Sequence, residues 1–195
     1  MTSRKEAGQS IGSCVMGRRD FLTAGLVTAL ACHFPGRSVA AVAKFFSSER
    51  ALSFYNAHTG ENMKSAVYWQ DGKCVPHALA DINYILRDFR TGEVKEIDID
   101  LLDLLFALLQ ELERTGPLHI ISGYRSPETN ALLRIIGRGV VKDSLHIQGK
   151  AIDIRLPGRE LKTVCRAAVC IQRGGVGYYP FSDFVHVDVG RVRYW

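Results

Sequence analysis

The stretch Ser144–Asp153 constrains this chain most. It sets His146 and Asp153 seven residues apart with Gly149 between them, and it ends in Ala151-Ile152-Asp153-Ile154-Arg155. An alternating apolar run of that kind is a strand, so Asp153 projects from the face opposite Ile152 and Ile154. Gly149 lets the backbone turn so that the imidazole and the carboxylate face each other. A second His lies in Ser182-Asp183-Phe184-Val185-His186-Val187-Asp188, where Phe184, His186 and Asp188 share one face of another predicted strand.

Two imidazoles and one carboxylate are three ligands suited to zinc, with a fourth position left for solvent or substrate. Asp153 sits among apolar neighbours, where an unpaired carboxylate is costly and a cation removes the cost. Ser144 is placed to hold the other ring nitrogen of His146 or to cap the turn, and Asp188 to act behind His186; ligand imidazoles usually have such outer partners. His119 has no supporting pattern, and a lone strand His is more often structural than ligating. The ligands become neutral enough to take metal above about pH 5.

The net charge of +5 raises the question of a polyanion partner. Residues 1–43 hold five basic groups (Arg4, Lys5, Arg18, Arg19 and Arg37) against Glu6 and Asp20. The remainder carries 20 basic against 18 acidic groups, so its near balance excludes a strong case for nucleic acid. Arg18-Arg19-Asp20-Phe21-Leu22, an apolar run to about Cys32 and the small-residue sites Ser38-Val39-Ala40 and Ala41-Val42-Ala43 follow the order of a twin-arginine signal peptide. That run is short for a membrane span, so no stable span is expected once the signal is removed. Ala29-Leu30-Ala31-Cys32 only faintly resembles a lipoprotein box. The expected organisation is a signal at 1–43 and one domain at 44–195, a monomer in the periplasm or cell envelope. The mature chain keeps Cys74, Cys165 and Cys170, an odd number without C-x-x-C spacing, read as small buried apolar residues.

Along the domain, Ala51–Asn56 and Ser65–Trp69 read as a hairpin about the turn His58–Asn62. A helix is expected from Pro76 to about Arg90, and a leucine-rich one from an Asp98 or Asp100 cap to about Thr115, buried on most sides. Leu118–Ser122 is a predicted strand. Ser126-Pro127-Glu128 opens a helix to about Ile136, and another is expected from Pro157 to about Gln172. Val176–Tyr179, Phe184–Val189 and Val192–Tyr194 are further strands. The irregular alternation argues for an α+β fold: a small, mainly antiparallel sheet flanked by helices.

Two residues complete a hydrolytic constellation. Asp183, three before His186, is a candidate base for a water that attacks a carbonyl. Arg125, at a strand end before a helix cap, is a candidate for holding the carbonyl oxygen and the substrate. Tyr124, Tyr178, Tyr179 and Trp195 are candidate walls of the substrate pocket.

Ser144-x-His146-x-x-Gly149-x-Ala151-x-Asp153, Asp183-x-x-His186 and Ser122-Gly123-Tyr124-Arg125-Ser126 together resemble the zinc D-Ala-D-Ala carboxypeptidase and murein endopeptidase family. Phe184–Gly190 with Arg193-Tyr194-Trp195 is similar to the ending of its MepK-like branch. The resemblance runs from about Ala51 to Trp195. It implies the fold shared by hedgehog proteins and DD-peptidases, one zinc on His146, Asp153 and His186, Asp183 as base and Arg125 on substrate. It also implies peptidoglycan cross-links or stem peptides as substrate. Dipeptidase members carry Glu where Asp183 stands; endopeptidase members carry Asp. A zinc-containing module that binds peptidoglycan without cutting it is the alternative, and a metal-free structural protein is a distant third. The base favours the enzyme, because a binding module has no use for one.

Overall fold

The computed structural model describes residues 49–114, 116–136 and 140–195. The signal and cleavage sites expected in residues 1–43, with Cys32, lie outside the described residues. Among those described, no helix is long and apolar enough to cross a membrane.

The domain is α+β. Eight strands form one sheet: β1 (Glu49–Asn56), β2 (Asn62–Gln70), β3 (Lys73–Cys74), β4 (Leu118–Ser122), β5 (Ala151–Arg155), β6 (Gly175–Tyr179), β7 (Phe184–Asp188) and β8 (Arg193–Tyr194). Their order is β3-β2-β1-β4-β5-β7-β6-β8. The pairs β1–β4 and β6–β8 are parallel and the other five antiparallel, so the sheet is mixed and mainly antiparallel, as expected. The four α-helices are α1 (Pro76–Ile85), α2 (Ile99–Glu111), α3 (Pro127–Ile135) and α4 (Leu161–Ile171).

Strand alternation divides the sheet into two unlike faces. Leu52 and Phe54 of β1, Leu118 and Ile120 of β4, Ile152 and Ile154 of β5, and Val185 and Val187 of β7 are buried in the core. Leucines of α2 and Val164, Ala167 and Ala168 of α4 belong to the same cluster. Seven residues of α2 are buried, as the apolar run over more than one stripe predicts. Asp98 caps α2 by accepting from the Asp100 amide. On the other face, β5 and β7 turn Asp153 and His186 toward each other as direct cross-strand partners.

Three helix ends differ from expectation, and one of the departures serves the site. α1 stops at Ile85 rather than near Arg90. The Leu86 carbonyl instead accepts the Tyr124 amide at 2.8 Å, and the Asp88 carboxylate accepts the Ser126 amide at 2.9 Å. Both neighbours of Arg125 are thereby clamped. A Cβ on Gly123 would run into the Leu86 carbonyl, so only glycine allows this approach. α2 ends at Glu111, short of Thr115, and is tied to the site loop at its start, where the Asp98 amide donates to the Gly149 carbonyl at 3.0 Å. α4 begins at Leu161 and not at Pro157, because Gly158 takes a left-handed turn at φ 76°. The cysteines also depart from expectation. Cys74 and Cys170 are exposed, only Cys165 is partly buried, and all three are free.

Gly149 stands at φ 69° with its α-carbon against the Glu96 backbone. Gly149→Ala should therefore destabilise the domain by at least about 1–2 kcal/mol, the cost of a left-handed L-residue, before the steric clash is added. Urea denaturation of the two proteins checks this.

Candidate metal centre

His146 lies in a single 3-10 turn, Leu145–Gln148, and the turn is what aims it. Ser144 caps the turn, its hydroxyl accepting the His146 amide at 3.4 Å, and Gly149 closes it. The hydroxyl does not reach the ring. The ring partner is the Gly123 carbonyl, 2.8 Å from Nδ1. A carbonyl only accepts, so Nδ1 carries the hydrogen and Nε2 presents a lone pair.

The same logic fixes His186. Its Nε2 lies 3.0 Å from Asp188 Oδ2. Asp188 is fully buried, and burial by itself raises its pKa; His186, Arg193 and the Gly175 and Gly190 amides outweigh that and hold it well below the usual carboxylate range. The ionised carboxylate accepts, so Nε2 donates and Nδ1 is left facing inward. His186 Nδ1 is 2.8 Å from Asp153 Oδ1 and 3.2 Å from His146 Nε2, and His146 Nε2 is 3.3 Å from Asp153 Oδ1.

Two ring lone pairs and a carboxylate oxygen therefore converge with no hydrogen of their own to share. Such a set repels itself unless a cation occupies the middle. In the absence of metal a proton on His186 serves. Burial lowers the pKa of His186, but the hydrogen bonds to Asp153 and Asp188 prevail and raise it above 6.5. Burial likewise raises Asp153, and the two imidazoles reverse this to hold it well below the usual range. Among the described residues, these three are the group whose ligand atoms could hold a metal ion, all within 4.8 Å of one another. Two imidazole nitrogens and one carboxylate oxygen suit a transition metal such as zinc.

Arg125 is buried beside them, its guanidinium 3.7 Å from Asp153 Oδ2 and 3.4 Å from both Ser122 Oγ and Asn130 Oδ1. Burial lowers its pKa and Asp153 opposes that. Its Nε is buried without a partner. Asp183 stands outside the ligand group. It adopts φ 52°, its side chain is 63% exposed, and it pairs with Arg155 at 3.0 Å.

The aromatic candidates separate. Tyr178 pairs with Val185, which puts it on the core face of the sheet and away from His186. The strand begins one residue earlier than expected, but the register alone decides the face. Tyr124 is buried, and its hydroxyl donates to Glu93, which with burial pushes its pKa up to about 12. Tyr179 and Trp195 do lie on the site face. The Trp195 indole donates to the Tyr179 hydroxyl at 2.7 Å, and its ring is 5.4 Å from that of His186. Gly177 leaves the space they occupy. His119 packs on Tyr55 and stands outside the ligand group.

Sequence reasoning missed the Gly123 carbonyl, the Asp88 clamp and Arg193, whose guanidinium grips Asp188 at 2.6 and 3.0 Å. A backbone acceptor leaves no residue signature. The Arg193 contact has a faint one, since a buried Asp on a strand needs a cation nearby.

A family model described as peptidoglycan L,D-endopeptidase MepK matches residues 44–195. The chain belongs to this MepK family. MepK of Escherichia coli K12, a peptidoglycan L,D-endopeptidase by name, is 43% identical over 147 residues, 75% of this chain and 80% of its own length. The Shigella flexneri protein of the same name matches to the same extent. A probable MepK of Haemophilus influenzae is 42% identical over 147 residues, 75% of this chain and 78% of its own. The match to the MepK family covers all of the described residues, ligand group included.

Two outcomes are expected. Asp188→Asn should weaken metal binding about 10–100-fold, because the amide no longer enforces the Nε2–H form of His186; competition with a chromogenic chelator measures it. Metal affinity should also climb with pH through a window above 6.5, where the raised His186 gives up its proton. The metal-free protein should move the other way. Its His186 contribution to stability is full below pH 6.5 and is lost as pH rises through the raised value. Chelator titrations and thermal melts across that window check both signs.

Proposed function

We propose that this protein is an exported zinc metallopeptidase that hydrolyses peptide bonds in bacterial peptidoglycan. The observation that carries the reading is the ligand group of His146, Asp153 and His186, with outer partners that leave one acceptor on each ring facing inward. Membership of a family whose named relatives are peptidoglycan L,D-endopeptidases supports the substrate. The twin-arginine pattern at Arg18-Arg19 supports export to the periplasm or envelope, where that polymer lies.

His146, Asp153 and His186 would hold the ion. Zinc in such a setting supplies Lewis acidity that polarises a carbonyl and acidifies water near pH 7. The chain does the rest. Arg125, fixed between the two clamped amides, offers a positive charge to the carbonyl oxygen as negative charge develops. Asp183 takes the proton of the attacking water and returns it to the leaving amine, which requires it to leave Arg155. Tyr179 and Trp195 form a wall beside His186.

A zinc-containing module that binds peptidoglycan without cutting it draws on one observation, the engagement of Asp183 by Arg155. The two readings part in one experiment. Purified protein should carry about one zinc per chain and lose it in His146→Ala. Asp183→Ala should keep the zinc and lose hydrolysis of purified sacculi by about 100-fold or more. Undiminished digestion by that variant would remove Asp183 from the mechanism, and a wild type that holds zinc but releases no muropeptides would favour the binding module.

A further inference from the structure

The site face of the sheet carries a second row of side chains, one same-face step beyond Asp153 and His186. Tyr55 pairs with His119 across β1 and β4, His119 with Arg155 across β4 and β5, and Phe184 with Tyr179 across β7 and β6. A same-face step along a strand is about 7 Å, roughly two residues of an extended peptide. The row is aromatic at both ends: Tyr55 and His119 pack at 4.7 Å, and Tyr179 stacks on Phe184 at 4.6 Å. Burial and the neighbouring Arg155 lower the pKa of His119, which favours its neutral ring. Arg155 is the cation between these rings.

The partner of Arg155 is unusual for a guanidinium beside a catalytic centre. It is Asp183, at 3.0 Å, in a pair whose side chains are 39% and 63% exposed. Exposed pairs of this kind are weak and exchange readily. A guanidinium prefers to receive a carboxylate through two parallel hydrogen bonds, and an incoming carboxylate that does so can displace Asp183.

We propose that Arg155 is a substrate-binding residue that recognises a free carboxylate on the peptide, about two residues from the scissile bond, and takes it in exchange for Asp183. The inference rests on the peptidase reading above and adds to it a substrate class: peptides acidic at that position. The exchange also frees the Asp183 carboxylate for its role as base, so an acidic substrate would release the group that helps to cleave it.

The test uses a cross-linked wall peptide with a free carboxylate about two residues from the bond that is cut and the same peptide with that group amidated. Both are offered to the zinc-loaded full domain, to Arg155→Gln and to Arg155→Lys, and both hydrolysis and calorimetric binding are read. The wild type should favour the acid about tenfold or more, chiefly in KM. Arg155→Gln should bring the ratio near one, and Arg155→Lys should restore part of it. A role confined to holding Asp183 would change both rates alike and leave the ratio as in the wild type, which overturns the proposal. Equal handling of the two peptides by the wild type overturns it as well. If neither peptide is cut, binding still decides: a preference for the acid that disappears in Arg155→Gln supports the carboxylate site while the peptidase reading fails.

Discussion

The structure depends on two hydrogen bonds that determine which nitrogen of each imidazole is free. The Gly123 carbonyl takes the hydrogen of His146 Nδ1, and Asp188 takes that of His186 Nε2. Neither acceptor can be satisfied by the opposite tautomer. The remaining lone pairs must then face Asp153 and each other, an arrangement that is poor for a metal-free protein and good for a metal site. A cluster of His and Asp in contact is common enough; one whose outer partners remove every alternative to binding a cation is more specific.

Those two bonds are in turn set by the fold. Gly123 reaches His146 because α1 ends early and lends its Leu86 carbonyl and the Asp88 carboxylate to the strand end that carries Arg125. Asp188 reaches His186 because both lie on one face of β7, and it stays ionised in full burial because Arg193 and two backbone amides surround it. Burying a lone carboxylate there would cost far more than any single hydrogen bond returns. The C-terminal strand is therefore part of the candidate metal centre, though none of its side chains joins the ligand group.

The sequence made some of this legible and hid the rest for definite reasons. The period-two runs about Asp153 and His186 give the strands, their faces and the residues that meet, because alternation is a local property. The capped leucine run gives α2 as a buried helix for the same reason. What needed the structure was non-local. In sequence Ser144 fits a ring partner or a cap equally well, and only the backbone path shows that it is the cap. Tyr178 and Tyr179 look alike in sequence, and the register of β6 against β7 sends one to the core face and one to the site. The end of α1 was misplaced because Leu86 and Phe89 continue the apolar stripe, while the bonds that break the helix go to residues more than thirty positions away.

Charge shows why such a site would suit a hydrolytic reaction. Asp153 and Asp188 are balanced by Arg125 and Arg193, so these four groups are formally neutral once both imidazoles are neutral. A divalent ion then brings a surplus of positive charge into a partly dehydrated place, where it is worth most to a species that is becoming negative. A base outside the ligand group must not cancel that surplus until it is needed. Asp183 in its pair with Arg155 is neutral as a unit and exposed, so it leaves the field at the centre intact. Trading Asp183 for a carboxylate of the substrate, as proposed, would keep Arg155 neutralised and give the site one free anion at the moment when a proton has to be accepted. The weakness of that surface pair would then be the property that makes it useful, since a tight, buried pair would hold the base too firmly to release it.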